Sequence, residues 1–264
     1  MLEEIKTLPP LPETVVKIQE LCMQQDADID DLSRVVEHDP MLSANILKSV
    51  NSPLYGMSKE ISSIPQAIML FGISMIRGFA AASAIKKTIS VDLSPYDSTV
   101  DELTHISSLQ TALAREWYRN VDKTKLPLLQ SCAFLMELGK LVGSHRVIAA
   151  KNVEKFSKEI LNALSFDEIE RNYIGLSSYE IAAEMFEHWN FESTLIEALR
   201  EISNPSTQNP YAQALAVITK TVALKKVFSD DGIAEALALI ERFGLDKNAF
   251  EEAVRSVQSM QELS

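Results

Sequence analysis

The sequence is poor in the residues on which redox and metal sites depend. Among its 264 residues are two cysteines and four histidines. Cys22 and Cys132 lie far apart in segments of helical pattern, and such thiols are usually small apolar residues of the core. The Walker A, dinucleotide-binding, H-E-x-x-H and C-x-x-C motifs are also missing. We therefore expect no cofactor, and a reducing, cytoplasmic environment fits this composition.

The sequence also lacks a long uninterrupted apolar run. The most apolar stretch extends from Ile64 to Ile85, and polar residues, glycines and a proline interrupt it. A membrane span needs about 20 mostly apolar residues, so we predict two buried helices that meet at Gly72 and no membrane span. The N-terminal segment, Met1 to Glu13, shows no apolar core of a secretory signal.

Basic residues are outnumbered by acidic ones. There are 25 lysines and arginines against 37 aspartates and glutamates, which gives a net charge of −12. Proteins that bind nucleic acid through its backbone usually present a basic face, because lysine and arginine neutralise the phosphates. Here the basic residues are scattered, so nucleic acid is disfavoured as a partner. An acidic surface favours a partner with a basic patch.

Helical periodicity is present in nearly every segment. One apolar stripe with helical spacing is formed by Leu103, Ile106, Leu113 and Trp117. Asp39 followed by Pro40 is typical of a helix N-cap with proline in the first turn. No run of alternating β-branched residues and no hairpin dipeptide is present. The predicted fold class is all-α, a two-lobed helical bundle.

Several helix positions can be predicted from local signals. A capping box, which is a serine followed three residues later by glutamate, begins a helix. Two such boxes are expected: Ser165 with Glu168, and Ser177 with Glu180. The strongly apolar segment Leu128 to Val142 predicts the central helix of the second lobe, and Tyr211 to Phe228 predicts one of three later helices.

The chain is expected to divide at a polar, proline-containing interval. Residues 1–91 form the predicted N-terminal helical lobe, and residues 92–101 the linker between the lobes. Residues 102–264 form the second lobe with a C-terminal helical extension.

The first lobe resembles the HDOD family. Three phrases carry the resemblance: LPPLPETVVKIQEL (Leu8 to Leu21), VVEHDPMLSANILKSVNSPLYG (Val35 to Gly56) and ISSIPQAIMLFGISMIRG (Ile61 to Gly78). Their motif residues are Asp39, Pro40, Asn51, Ser52, Gln66 and Gly72. The resemblance covers about residues 5 to 205.

These motif residues have structural explanations. Asp39 can cap a helix, and Asn51 can end the same helix while its amide group pairs with otherwise unbonded carbonyls. Ser52 would then set the turn. His38 next to Asp39 superficially resembles a metal-binding pair, but the following proline favours capping for Asp39.

The second lobe resembles the helical core of the HD phosphohydrolase superfamily, whose members hold a divalent metal with histidines and aspartates. The resemblance implies that His105 corresponds to a metal-binding histidine and that Met136 and Glu137 correspond to the histidine-aspartate pair. Lys140 keeps the local family pattern. A thioether binds magnesium or manganese poorly, so no metal site and no catalytic residue are expected. His105, Met136, Glu137 and Lys140 are interpreted either as polar core positions or as a vestigial cleft for a nucleotide or metabolite.

The resemblance implies a non-catalytic adaptor of bacterial signal transduction. Its expected partner is a protein of a signalling pathway, and a small nucleotide is a candidate ligand. The alternative is a divergent metal-dependent phosphohydrolase that uses His105 and Glu137.

Overall fold

Helices make up most of the described residues, which confirms the predicted all-α fold class. The computed structural model describes residues 2–24, 28–88, 92–163 and 165–262. Residue contacts divide the chain into two units. The smaller unit comprises Pro9–Thr88 and Ser259–Ser264, and the larger unit comprises Met1–Leu8 and Ile89–Gln258.

The boundary between the two units lies after Thr88, ahead of the segment 92–101 that was predicted to be the linker. That segment contains the 3-10 helix Ser94–Tyr96. Tyr96 is fully buried and its ring packs edge-on against Phe156 in the larger unit, with the ring centroids 5.2 Å apart.

The first six helices of the described chain precede the segment 92–101. They are Leu2–Lys6 (α1), Glu13–Cys22 (α2), Ile29–Glu37 (α3), Pro40–Val50 (α4), Ile64–Phe71 (α5) and Ile73–Thr88 (α6). Gly72 separates α5 from α6 as predicted, and it has a positive φ of 79° that favours glycine. The two helices bend by 117° at this break.

The capping roles predicted for α4 are confirmed. Asp39 accepts a hydrogen bond from the backbone N–H of Leu42 at 2.9 Å. At the other end, the Asn51 amide nitrogen donates to the carbonyl oxygens of Leu47 and Ile61, at 2.9 and 2.8 Å. The Asn51 amide oxygen accepts from the N–H of Ile61 at 2.8 Å. Asn51 therefore fastens the loop before α5 to the end of α4.

Replacing Asn51 with alanine should destabilise the protein by about 3 kcal/mol, because three hydrogen bonds of a half-buried backbone are lost together. Urea unfolding of both proteins would measure this change. Asn45 on the same helix is the control, since its amide makes a single hydrogen bond to Ser83 Oγ at 2.9 Å, and Asn45→Ala should cost about 1 kcal/mol. Equal losses in the two variants would contradict the role of Asn51.

The remaining helices belong mainly to the larger unit. They are Val100–Val121 (α7), Leu126–Leu135 (α8), Gly139–Ala149 (α9), Val153–Asn162 (α10), Asp167–Ile174 (α11), Ser178–His188 (α12), Ser193–Arg200 (α13), Pro210–Thr221 (α14), Asp230–Phe243 (α15) and Lys247–Glu262 (α16). A short antiparallel hairpin, Val222–Ala223 (β1) with Lys226–Val227 (β2), follows α14.

Some predicted helix positions need correction. The helix predicted over Tyr211 to Phe228 ends at Thr221, because the chain reverses and pairs Val222 with Val227. Helical periodicity cannot reveal pairing over two residues. The capping box at Ser165 is wrong, since α11 begins at Asp167 without a side-chain cap. The box formed by Ser177 and Glu180 is confirmed.

The predicted central helix over Leu128 to Val142 is broken into two. The 3-10 helix Met136–Leu138 lies between α8 and α9. The segment Leu126–Ala149 is long and apolar enough to cross a membrane, but 83% of its most apolar window is buried within the protein. This burial is typical of a core helix. Cys132 of α8 is buried as expected, whereas Cys22 is half-buried.

The turn between α7 and α8 contains a carboxylate that should contribute to stability in a pH-dependent way. Hydrogen bonds from Thr124 and the Lys125 ammonium group, 2.9 Å away, lower the pKa of Asp122 to about 2. Its contribution is therefore complete above its ordinary pKa of 3.8 and is lost as the pH falls through about 2. Urea unfolding of Asp122→Asn should show a stability deficit that is constant above pH 4.5 and shrinks below it. A deficit that does not change with pH would contradict this assignment.

Candidate functional site: a buried charged cluster

A cluster of buried polar and charged side chains lies where the start of α9 meets the start of α12. Its members are Gln110, Glu137, Lys140, Glu170 and Ser178. Gly139 allows this approach, because a Cβ atom at this position would lie 1.8 Å from the carbonyl oxygen of Ser178 and 2.8 Å from the backbone nitrogen of Ala182. Glu137, in the 3-10 helix, and Lys140, in the first turn of α9, are thereby brought against α12.

Lys140 is the cation of the cluster. Its ammonium nitrogen lies 2.6 Å from Glu137 Oε2, and both side chains are 2% exposed. It also donates to Ser178 Oγ at 3.0 Å. The rings of Tyr179, Phe166 and Tyr96 lie 5.0, 5.7 and 5.9 Å from the ammonium nitrogen, within the range of cation–π attraction.

The charge state of Lys140 follows from its neighbours. Burial acts to lower the pKa of Lys140, but the negative charges of Glu137 and Glu170 act against it and raise the pKa above its ordinary value. Lys140 is therefore a charged ammonium group at neutral pH.

Glu170, on α11, is the second buried carboxylate. It accepts a hydrogen bond from the Tyr96 hydroxyl at 3.0 Å and another from the backbone N–H of Ser178 at 2.6 Å. The second bond places a carboxylate at the N-terminus of α12, where the helix dipole favours negative charge. Burial raises the pKa of Glu170, while Lys140 and the Ser178 N–H oppose this shift.

Gln110 completes the cluster and was not anticipated from the sequence. Its amide nitrogen donates to Glu137 Oε1 at 2.7 Å and to the carbonyl oxygen of Val222 at 2.9 Å. Its buried amide oxygen has no hydrogen-bond partner among the described residues. The sequence does contain one sign of its burial. Gln110 lies on the apolar stripe of α7, between Ile106 and Leu113, where a polar residue is unusual.

The structure does not bring all predicted cleft residues together. Glu137 and Lys140 are in direct contact, as described above. His105 is exposed on α7 and so lies outside this buried cluster, which corrects its predicted grouping with them. Met136 is fully buried in the 3-10 helix, but it does not line the cavity beside Glu137.

The cavity beside the cluster is small. Its volume is about 30 Å³, and its walls include Glu137, Lys140, Tyr179 and Thr219. One water needs at least about 10–15 Å³, whereas pockets for organic ligands usually measure about 300–1,000 Å³. This cavity has room for one or two waters and is too small for the hypothesised nucleotide.

Solved structures place this fold in a known class. The chain resembles a candidate signal transduction protein of Marinobacter aquaeolei VT8, with 26% identity and a TM-score of 0.73 over 99% of this chain and 60% of that one. It also resembles a candidate phosphohydrolase of Shewanella amazonensis SB2B, with 20% identity and a TM-score of 0.70 over 98% and 93% of the two chains. The protein therefore has the all-helical fold of HD phosphohydrolase-like proteins.

The family is identified more narrowly by sequence. The pattern that defines the HDOD domain matches residues 8–205. The chain belongs to the HDOD family, as the motifs of the first lobe predicted. A curated relative, an uncharacterized protein of Treponema pallidum (strain Nichols), is 20% identical over 226 residues, and the match spans 83% of this chain but 43% of that protein.

The residues of the cluster do not fit the divalent metal of HD phosphohydrolases. Such a metal needs several convergent oxygen or imidazole ligands. Among the described residues, no group of three or more histidines, cysteines, aspartates or glutamates could hold a metal ion. Glu137 is already paired with Lys140, so a metal bound to this carboxylate would lie beside a buried ammonium group.

Proposed function

We propose that the chain is a non-catalytic signal-transduction module of the bacterial cytoplasm that acts by binding a protein partner. The observation that carries the proposal is the buried ion pair of Lys140 with Glu137. The chain's own ammonium group lies 2.6 Å from the carboxylate on which a catalytic metal would depend. Removing that ammonium would leave buried negative charge without compensation. The resemblance to a candidate signal transduction protein supports a role in signal transduction.

Exposed apolar residues on the smaller unit support binding of a protein. Met69 and Leu70 are neighbours on α5 and are 66 and 56% exposed, and Met41 on α4 is 62% exposed. Contiguous exposed apolar surface often marks an interaction site. Helix α3 packs against α5 and exposes the carboxylates of Asp30 and Glu37. The expected partner surface is therefore apolar with basic residues around it.

An assay of phosphodiesterase and phosphatase activity in excess manganese tests the absence of catalysis. With bis(p-nitrophenyl) phosphate and p-nitrophenyl phosphate, the protein should give no turnover above the protein-free rate. Glu137→Gln should give the same result. Manganese-dependent turnover that Glu137→Gln abolishes would establish the alternative, a divergent phosphohydrolase.

Differential capture from lysate tests the binding function. The double variant Met69→Ser, Leu70→Ser changes exposed side chains only, so it should fold normally. This variant should fail to capture proteins that the unaltered chain captures from the same lysate. The matched control is Val121→Ser, Leu161→Ser, which changes residues of the larger unit that are 42 and 49% exposed. Identical capture by all three proteins would contradict this binding surface.

A further inference from the structure

A second cavity in the larger unit is large enough for an organic ligand. Its volume is about 360 Å³, within the range usual for ligand pockets. It lies between the loop that follows α13 and the helices α14 and α15. The residues that α14 and α15 contribute lie beyond residues 8–205, which the HDOD pattern matches. The cavity is therefore built largely by the part of the chain outside the family match.

One part of the wall is apolar. Leu239 and Phe243 line the cavity from α15, four residues apart and so on one face of the helix. Ala216 of α14 and Ile202 of the loop line it as well. Aliphatic and aromatic side chains of this kind would cover an apolar ligand body and bring hydrophobic stabilisation.

The polar wall contains groups that lack a partner. The Ser203 hydroxyl oxygen is buried and has no hydrogen-bond partner among the described residues. Because this oxygen is buried, it does not face a ligand in the cavity. The Arg242 side chain is exposed at the cavity, and within the described part of the chain no carboxylate pairs with it.

The other charged residues of the wall are Lys220, Glu235 and Asp167. Lys220 of α14 pairs with Glu235 of α15 at 2.9 Å, and both are about one-quarter to one-third exposed. Asp167 lines this cavity and the small one beside Lys140, and its charge acts on Lys140. Arg242 lines the larger cavity and does not line the small one. Among the described residues, it is the cation of this wall that forms no ion pair.

We propose that this cavity binds a small organic anion with an apolar body. The anionic group lies on the Arg242 guanidinium, and the apolar body packs on Leu239 and Phe243. A bound ligand of this class would add a small-molecule input to the module. The site does not depend on whether the chain is catalytic, so it goes beyond the proposed function.

The test uses anilinonaphthalene sulfonate, a fluorescent anion with an apolar aromatic body, titrated into the protein under native conditions. A saturable increase in fluorescence is expected. Arg242→Gln should weaken binding about tenfold, the effect of losing one favourable ion pair of about 1.4 kcal/mol. Ala238→Trp places a large ring at an exposed position of the cavity wall and should abolish binding.

Arg34→Gln is the matched control, because Arg34 is an exposed arginine of the smaller unit, and it should bind the dye like the unaltered chain. Circular dichroism would show that each variant is folded. Should Ala238→Trp misfold, Arg242→Gln at its exposed position still decides the question. No saturable binding, or binding that Arg242→Gln leaves unchanged, would overturn the proposal. The second result would assign the dye to another apolar surface, such as the one at Met69 and Leu70.

Discussion

Gly139→Ala is expected to abolish stable folding of the larger unit or to cost more than about 4 kcal/mol. The φ of Gly139 is −59°, which any residue adopts, so the reason is space and not backbone conformation. The added carbon would lie 1.8 Å from a carbonyl oxygen and 2.8 Å from a backbone nitrogen of α12. Backbone atoms cannot rotate away, so α9 and α12 would have to separate. Thermal and urea unfolding by circular dichroism would measure the loss.

Gly143→Ala in the same helix is the control for this prediction. Its added carbon would meet the ends of two side chains, Tyr96 Oη at 3.1 Å and Ile174 Cδ1 at 3.2 Å. These atoms can move by a few tenths of an ångström, and alanine gains about 1 kcal/mol of helix propensity. The net cost should stay below about 2 kcal/mol. A Gly139→Ala variant as stable as Gly143→Ala would show that α9 and α12 are not so closely packed.

Lys140→Met should destabilise the protein by about 3–5 kcal/mol, although methionine fills a similar volume. The substitution leaves the carboxylates of Glu137 and Glu170 buried without the ammonium group that compensates their negative charge. Urea unfolding at pH 8 would measure the cost. The double variant Glu137→Gln, Lys140→Met should recover much of the loss, because the buried pair is then replaced by neutral groups.

The Lys140→Met deficit should also depend on pH. The pKa of Glu170 is already raised by burial, and loss of the ammonium group raises it further. When folding raises the pKa of a group, that group favours the folded state at pH values below its unfolded pKa. This contribution to stability is lost as the pH rises through the folded-state pKa. The deficit should therefore be smaller at pH 5 than at pH 8. A deficit that grows on acidification would contradict the assignment of Glu170 to the cluster.

Lys220→Met provides the matched control for charge burial. The Lys220 pair with Glu235 has a similar distance, 2.9 Å, but the two side chains are 25 and 34% exposed. Water screens such a pair, so the expected cost is below about 1 kcal/mol. A similar cost for Lys140→Met and Lys220→Met would mean that burial does not amplify the pair at Lys140.

The helix ends were predictable where one local rule decides the conformation. Asp39 before Pro40 and Ser177 before Glu180 each cap a helix with side-chain hydrogen bonds to nearby backbone groups. Ser165 met the same spacing rule, but α11 begins one position too late for Glu168 to occupy the third helical position. Spacing alone does not fix which residue starts the helix.

The cluster was half predictable. Glu137 and Lys140 were chosen by family resemblance, and their three-residue spacing brings them into contact at 2.6 Å. His105 was chosen by the same resemblance, whereas the buried partner on that helix is Gln110. Glu170 lies far from both in sequence. Its approach depends on how α11 and α12 pack, which residue spacing does not reveal.

The sequence by itself determined the fold class, the family and the main helix ends, because periodicity, capping and proline or glycine positions act over a few residues. Only the tertiary structure decided which polar side chains share a buried site. The contacts of Lys140 with Ser178 and of Gln110 with Val222 join distant segments. Such contacts exist only after apolar surfaces have packed and brought those segments within hydrogen-bonding distance.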